Sequence, residues 1–351
     1  MAGAPRPAVA LTLGDPAGIG PELIAKLVAR GELMRQAHVV VVGDRWVWED
    51  GQRVAGTRTA LHEVASIAEA RAWAERAREE PGIPCFCAIE TVRPEEITRA
   101  VANAAGGASV LRALRTCLDA ARAGEVDALC FAPLNKLAMK QAGLKFPDEL
   151  HFFADYLGVR GYVCELNVLE GLWTTRVTSH IPLRDVAGTL SRERIKDAAR
   201  LLHRSLRAAG VARPRIAVAG LNPHAGEGGT CGREELDIIA PAIHEAGAEG
   251  VPMDGPFPAD TIFLRALAGL YDGILTMYHD QGQIALKLMG FDRGVTVQGG
   301  LPVPITTPAH GTAFDIAGQN KASVEALSRA FGIACRMAAS AAQRGFTSGS
   351  S

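Results

Sequence analysis

The chain has no Cys-x-x-Cys pair, no basic run and no long apolar stretch, and each absence removes a class of function. Its seven cysteines (Cys85, Cys87, Cys117, Cys130, Cys164, Cys231 and Cys335) are odd in number and scattered over 351 residues. That excludes a zinc knuckle or a disulfide framework and fits mostly buried thiols in a reducing compartment. Lys and Arg number 37 against 38 Asp and Glu, a formal net charge of -1, and aromatic residues make up only 5%. A nucleic-acid partner would call for a basic patch, with interleaved aromatics for single strands, and neither is present. No apolar run reaches the length of a membrane span, and no charged segment introduces one near the first residues, so a cytoplasmic protein without a membrane partner is expected. The sequence also lacks a Gly-Lys-Ser/Thr phosphate loop, a spaced G-x-G-x-x-G and any repeat at a fixed period.

What is present has the rhythm of an α/β enzyme. Hydrophobic residues are 48% and charged residues 21% of the chain, and its length suits two α/β domains or one large one. Short apolar runs predict strands over Ala8–Leu13, His38–Val42, Ala128–Phe131, Thr174–Thr178, Arg215–Ala219 and Gly273–Thr276. Several lack polar alternation, as strands buried on both faces of a parallel sheet do. Amphipathic stretches predict helices over Gly20–Arg30, Leu61–Arg78, Ala108–Ala123, Arg192–Ala209, Glu234–Ala246 and Ser323–Gln343. The Ser/Gly-rich tail Thr347–Ser351 reads as frayed. No Pro/Gly/Ser-rich linker divides the chain, so two domains would be joined by sheet or helix.

Polar and glycine-rich clusters follow the predicted strands, where open α/β sheets place their ligands. Gly14–Glu22 offers a tight strand-to-helix turn whose amides could approach an anion, though a purely structural turn explains it as well. Thr178–Asp185, Leu221–Gly229 and Met277–Gly282 each carry one histidine: His180, His224 and His279. A lone histidine there is more often structural than ligating. Parallel strand ends converge on one crevice, so three of them could meet around one divalent ion. The spacing leaves both readings open. Three imidazoles would favour zinc, with cobalt or nickel as alternatives to it and magnesium disfavoured. A Lewis acid would ease hydride removal from a secondary alcohol and stabilise the product of a following decarboxylation.

Lys287 lies eight residues after His279 with Gln283 midway, so one helix face would carry all three. It could hold a carboxylate or phosphate as a point charge, or be an ordinary solvated lysine. Lys136, in Ala132-Pro133-Leu134-Asn135-Lys136, is a similar candidate. His310–Gly318 reads locally as a turn with a helix cap.

Taken together, the clusters Gly14–Glu22, Ala132–Lys136, His180–Asp185, Leu221–Gly229, Gly255–Thr261, Tyr278–Gly282 and His310–Gly318 resemble the 4-hydroxythreonine-4-phosphate dehydrogenase family of vitamin B6 synthesis. They occur in family order over nearly the whole chain. The resemblance implies a two-domain α/β fold of mostly parallel sheets with helices on both faces, like isocitrate and isopropylmalate dehydrogenases. It implies a homodimer with active sites between subunits and a cleft between domains. A cofactor-side domain would span 1–128 with 295–351, and a metal, substrate and dimerisation domain 129–294. His180, His224 and His279 would bind the metal, one of them from the partner chain. Lys287 and Asp260 would serve the substrate. The loop of His310, Gly311, Thr312, Ala313 and Asp315 would bind the adenosine end of NAD or NADP. The implied chemistry is NAD(P)-linked oxidation of a small hydroxylated carboxylic acid, followed by loss of the β-carboxylate.

Two departures bear on the substrate. The family's phosphate-holding Gly-His-Thr-Glu is here Asp148-Glu149-Leu150-His151, which adds a negative charge beside the phosphate and removes donors. That could cost about 3 kcal/mol, less whatever His151 recovers. Ile305 stands where the family has an arginine, and Ala309 where it has an aspartate. The expectation is therefore an unphosphorylated substrate, such as the cis-dihydrodiol of terephthalate, contacted by Glu149, Leu150, His151 and Ile305. The alternative is 4-hydroxythreonine-4-phosphate itself. An alternative of another class is a metal- or nucleotide-binding protein without catalysis.

Overall fold

A computed structural model of the chain describes residues 6–76 and 83–348. The Arg78 end of one expected helix and the last three residues of the tail lie outside them. The chain forms two compact units, Met1–Arg160 with Leu301–Ser351, and Gly161–Gly300. In chain order the described strands are β1 (Ala8–Thr12), β2 (His38–Gly43), β3 (His62–Val64), β4 (Cys85–Ala88), β5 (Ala128–Phe131), β6 (Cys164–Leu169), β7 (Leu172–Arg176), β8 (Ile216–Ala219), β9 (Met253–Phe257), β10 (Gly273–Thr276), β11 (Val295–Gly299) and β12 (Ile305–Pro308).

The first unit holds the strands in the order β3-β4-β2-β1-β5-β12, every neighbouring pair parallel. β1, β5 and the apolar run of β2 are buried along their length, which is why they read as unbroken hydrophobic runs. Val110, Leu114, Leu118, Leu129, Phe131, Phe153 and Ile305 belong to one core cluster there. The helix Ala104–Arg122 starts at Asn103, whose side chain accepts from the Gly106 amide. Such a cap is worth about 1 kcal/mol.

The second unit has the order β11-β6-β7-β10-β8-β9. β7, β10, β8 and β9 run parallel, while β6 is antiparallel to both β7 and β11. The helix Arg192–Ala208 is capped by Ser191 and buries Ile195, Leu201, Leu202 and Leu206. On its polar side, Lys196 and Arg200 pair with Glu249 from the end of the helix Ala240–Ala248. All seven cysteines are free thiols and only Cys231 is exposed. Burial raises the Cys85 thiol to about 11 and the Cys130 thiol to about 12, so neither is a thiolate at neutral pH.

The units part company after Arg160 and Gly300, not at 128 and 294. The helices Lys136–Gln141 and Glu149–Tyr156 stay with the first unit, the former packed on Ala104–Arg122. β11 stays with the second because it pairs with β6. Two expected helices also differ. Within Leu61–Arg78, residues His62–Val64 form β3 on β4, and the helix begins at Ile67. Ser66 Oγ accepts from the Glu69 amide, as an N-cap does, while the Glu69 carboxylate accepts from the Ala65 amide, and the two bonds fix the start. The stretch expected as Glu234–Ala246 opens with a wide turn, Glu235–Ile239. Pro241 has no amide hydrogen for the Asp237 carbonyl, and the Arg192 guanidinium donates to that carbonyl instead, at 3.1 Å.

Gly107 lets the helices Ala104–Arg122 and Lys136–Gln141 touch. A Cβ there would lie 2.0 Å from the Ala138 carbonyl oxygen. Gly107→Ala should therefore destabilise by about 1–3 kcal/mol, although alanine is the better helix former by about 1 kcal/mol. A thermal midpoint equal to or above that of the native chain would show that the helices can part without cost.

Candidate active site

In the second unit, parallel pairing gathers the three histidine-bearing loops. β7, β10 and β8 are successive neighbours, with Thr276 in register with Arg176, and Leu275 with Val218. Each loop therefore leaves the same edge of the sheet. His180 follows β7, His279 follows β10 and His224 follows β8. Adjacent strands are about 4.8 Å apart, and the rings of His180 and His279 have centroids 5.5 Å apart.

Local bonds fix each loop. Thr178 donates from its hydroxyl and its amide to the Met277 carbonyl, at 2.8 and 3.1 Å, tying the His180 loop to the His279 loop. Gln281 accepts from the Met277 amide at 2.7 Å and donates to the Gly220 carbonyl at 2.8 Å, which ties in the His224 loop. His279 opens the helix His279–Gly290, and its Nδ1 lies 2.7 Å from an oxygen of Asp280. A carboxylate on Nδ1 orients the ring and leaves Nε2 for a ligand.

The His224 loop has an unusual backbone. Residues His224 to Gly228 all have left-handed φ, between 45° and 82°. Non-glycine residues there cost roughly 1–2 kcal/mol each. Glu235, 3% exposed, holds the turn: its carboxylate accepts from the Leu221 and Asn222 amides, each at 2.7 Å, and from the Asn222 side chain at 2.9 Å. Gly226 is required beside it, since a Cβ would sit 2.7 Å from a Glu235 oxygen.

The structure brings His180 and His279 together. Among the described residues, no three His, Cys, Asp or Glu side chains of one chain gather as a metal-holding group. Lys287 lies two turns beyond His279 on the same helix, and Asp260 is exposed in the first turn of the helix Ala259–Leu267.

In the first unit, the same parallel geometry joins the glycine-rich loops after β1, β5 and β12. The Asp15 amide donates to the Pro133 carbonyl and the Ile19 amide to the Thr312 carbonyl, each at 3.1 Å. Gly14, at φ +74°, would place a Cβ 2.7 Å from the Pro133 oxygen. Glu22 accepts from the Gly318 amide, and Lys26 donates to the Asn320 and Ala322 carbonyls. The helix Gly20–Ala29 thus pins the Gly318 end of the His310–Gly318 segment, and Ile19, just before the helix, holds Thr312. Thr312 is buried, Ala313 has φ +41°, and Gly311 and Asp315 are exposed. Burial holds the His310 imidazole below the ordinary histidine value, against an opposing contact with the Gly311 carbonyl.

The candidate substrate residues fall differently from expectation. Ile305 is wholly buried in β12 within the core cluster, and Leu150 is 2% exposed. Neither presents a face to a ligand, which corrects the reading in which they line an apolar substrate. Asp148 caps the helix Glu149–Tyr156 and lies 2.6 Å from the His151 ring. Burial raises the Asp148 carboxyl, but the His151 amide and ring and the charge of Lys136 outweigh it, so the net shift is downward. Glu149 lies 3.8 Å from the Lys136 ammonium, so its charge is partly countered. Sequence reasoning did not single out Arg176, Glu235, Gln281 or Asp280. An arginine ending an apolar strand was the available signal for the first.

Two units of mostly parallel sheet, one gathering histidines at its strand ends and the other glycine-rich loops, define an α/β enzyme. The chain belongs to the family described as pyridoxal phosphate biosynthetic protein PdxA, whose model matches residues 35–334. It is 51% identical over 333 residues to a Pseudomonas aeruginosa protein named "Putative 4-hydroxythreonine-4-phosphate dehydrogenase 2", covering 94% of this chain and 97% of that one. It is 39% identical to the D-threonate 4-phosphate dehydrogenase of Salmonella typhimurium, covering 94% and 98%. The crystal structure of a 4-hydroxythreonine-4-phosphate dehydrogenase from Klebsiella pneumoniae superposes with a TM-score of 0.80 at 37% identity, covering 95% and 98%. A terephthalate 1,2-cis-dihydrodiol dehydrogenase from Burkholderia xenovorans gives 0.64 at 30% identity, covering 92% and 95%. These relatives are named as dehydrogenases. Among the described residues, no helix is long and apolar enough to cross a membrane.

Asp15 gives a pH prediction. It is 1% exposed; one oxygen accepts from the Ala17 amide at 2.8 Å, while the other has no partner among the described residues. Burial raises its pKa, with the Ala17 amide opposing. A carboxyl raised on folding leaves stability intact below its unfolded value, near 3.9, and loses it as pH rises through the folded value. Asp15→Asn should therefore raise the thermal midpoint at pH 7, with the gain shrinking towards pH 4. A variant less stable than the native chain at pH 7 would mean that the ionised carboxylate is itself required.

Proposed function

We propose that this chain is an NAD(P)-linked, divalent-metal-dependent dehydrogenase of a 4-phosphorylated four-carbon hydroxy acid, with 4-hydroxythreonine-4-phosphate as the leading substrate. The observation that carries it is the pairing of His180 and His279 at 5.5 Å beside the helix bearing Lys287. Relatives named for 4-hydroxythreonine-4-phosphate and D-threonate 4-phosphate support the substrate class. With Leu150 and Ile305 in the core, the argument for an apolar substrate loses its contacts.

The donor set fits a borderline ion such as zinc, with cobalt or nickel as alternatives: imidazoles, one oriented by Asp280, with a third histidine, His224, in the loop after the neighbouring strand β8. Such an ion would supply Lewis acidity at the substrate hydroxyl, and a nicotinamide would accept the hydride. Lys287 places a positive charge for a substrate carboxylate or phosphate, and Asp260 orients a hydroxyl or ammonium group as an acceptor. Lys136 and the exposed His151 are the donors of their segment able to meet a phosphate. The segment His310–Asp315, held by the Gly14–Glu22 loop, receives the adenosine end. Loss of a carboxyl β to the new ketone as carbon dioxide completes the reaction.

The ligand set is completed by a second copy of the chain. Leu183, Leu264, Leu267, Ile284 and Leu288 of the second unit are 59% to 84% exposed, which favours a covered face. Leu264→Asp combined with Leu288→Asp should shift the protein from dimer to monomer by light scattering; an unchanged mass would place the contact elsewhere.

The activity test is NAD(P)H absorbance with added zinc, offering 4-phosphohydroxy-L-threonine, D-threonate 4-phosphate and terephthalate cis-dihydrodiol separately. Turnover of a phosphorylated acid is expected, lowered at least about 100-fold by His279→Ala. Turnover of the dihydrodiol alone would overturn the substrate class, and full activity of the variant would overturn the metal.

A further inference from the structure

The second unit buries a guanidinium that the proposed chemistry does not use. Arg176, the last residue of β7, is 4% exposed. Its three nitrogens point three ways. Nε donates to Ser179 Oγ at 2.9 Å, one Nη to Asn167 Oδ1 at 3.2 Å, and the other to a Glu165 carboxylate oxygen at 2.8 Å. Glu165 balances the charge, without which burial of the cation would be costly.

The acceptors lead to the two imidazoles. Ser179 immediately precedes His180, whose backbone is held at φ +54°. Asn167 Oδ1 also accepts from Gln283 Nε2, and Asn167 Nδ2 donates to Thr296 at 3.3 Å. Gln283 stands one helical turn after His279 and one before Lys287. One planar fork is therefore bonded both to the loop of His180 and, through Asn167, to the helix of His279. A lysine could keep the charge beside Glu165 but could not reach three divergent acceptors.

We propose that Arg176 is a positioning residue that sets the approach of His180 to His279, acting through Ser179 on one side and through Asn167 and Gln283 on the other. The inference rests on the reading that these histidines hold a divalent ion. Three substitutions separate it from a merely structural role. Arg176→Lys retains the cation and breaks the fork; Ser179→Ala cuts only the loop link; Gln283→Met cuts only the helix link at similar volume.

The experiment is zinc titration of the full chain by calorimetry, native and variant, with circular dichroism to report folding and His279→Ala as the reference. Arg176→Lys should weaken zinc binding roughly tenfold or more while the protein stays folded. Ser179→Ala and Gln283→Met should each weaken it by a smaller factor. A folded Arg176→Lys that binds zinc within twofold of the native chain overturns the inference and leaves the metal reading standing. If Arg176→Lys does not fold, native affinity in both milder variants overturns it equally. Zinc binding indifferent to His279→Ala would remove the metal reading, and the inference with it.

Discussion

Parallel strand pairing is the constraint on which both sites depend. A parallel neighbour can be reached only by a crossover, so every strand of such a ladder begins at one edge and ends at the other. In the second unit that edge receives the ends of β7, β10 and β8, and His180 and His279 become neighbours across about a hundred residues of sequence. In the first unit, β1, β5 and β12 deliver the Asp15, Pro133 and His310 loops in the same way. Backbone hydrogen bonds then join loop to loop, as between Ile19 and Thr312. Neither arrangement needs a local motif, which is why no short pattern announced it.

The parts of the fold legible in the sequence are those where burial is uniform. β1, β2, β5, β8 and β10 are unbroken apolar runs because both faces are covered, and each was expected within a residue or two. β4, β6, β9, β11 and β12 were not expected; of these, β6, β11 and β12 carry Asn167, Gln298 and Thr306 into the interior. A strand with polar residues on a buried face looks like a loop until their partners are known. Thr306 donates to the Ala330 carbonyl, and Asn167 serves Arg176 and Gln283. β3 was masked by helical periodicity that truly begins only at Ile67.

The candidate site shows the same division. The histidines could be proposed from their places after strands, and the helix carrying His279, Gln283 and Lys287 from spacing alone. Side-chain direction could not. Ile305 stands at a position that the family gives to an arginine, yet β12 turns it into the core beside Leu129 and Phe153. The loss of that arginine therefore adds a packed aliphatic side chain and not an apolar patch on a substrate surface. Likewise, Glu149 looked like a free negative charge in the sequence, while the fold sets it 3.8 Å from Lys136.

The placement of backbone strain fits this division of labour. His180, His224, Ala225 and Glu227 all take left-handed φ without being glycine, at roughly 1–2 kcal/mol each. Hydrogen bonds to a charged group contribute about 1.5–3 kcal/mol apiece. The three accepted by Glu235, and those of Arg176 around Ser179, are therefore of the size needed to hold these conformations. A loop so held does not have to reorganise when a ligand arrives, so its binding free energy is not spent on ordering the imidazoles. The two strained histidine loops are also the two with a buried carboxyl or guanidinium anchor behind them. His279, placed by a regular helix and a neighbouring carboxylate, has no comparable strain to offset.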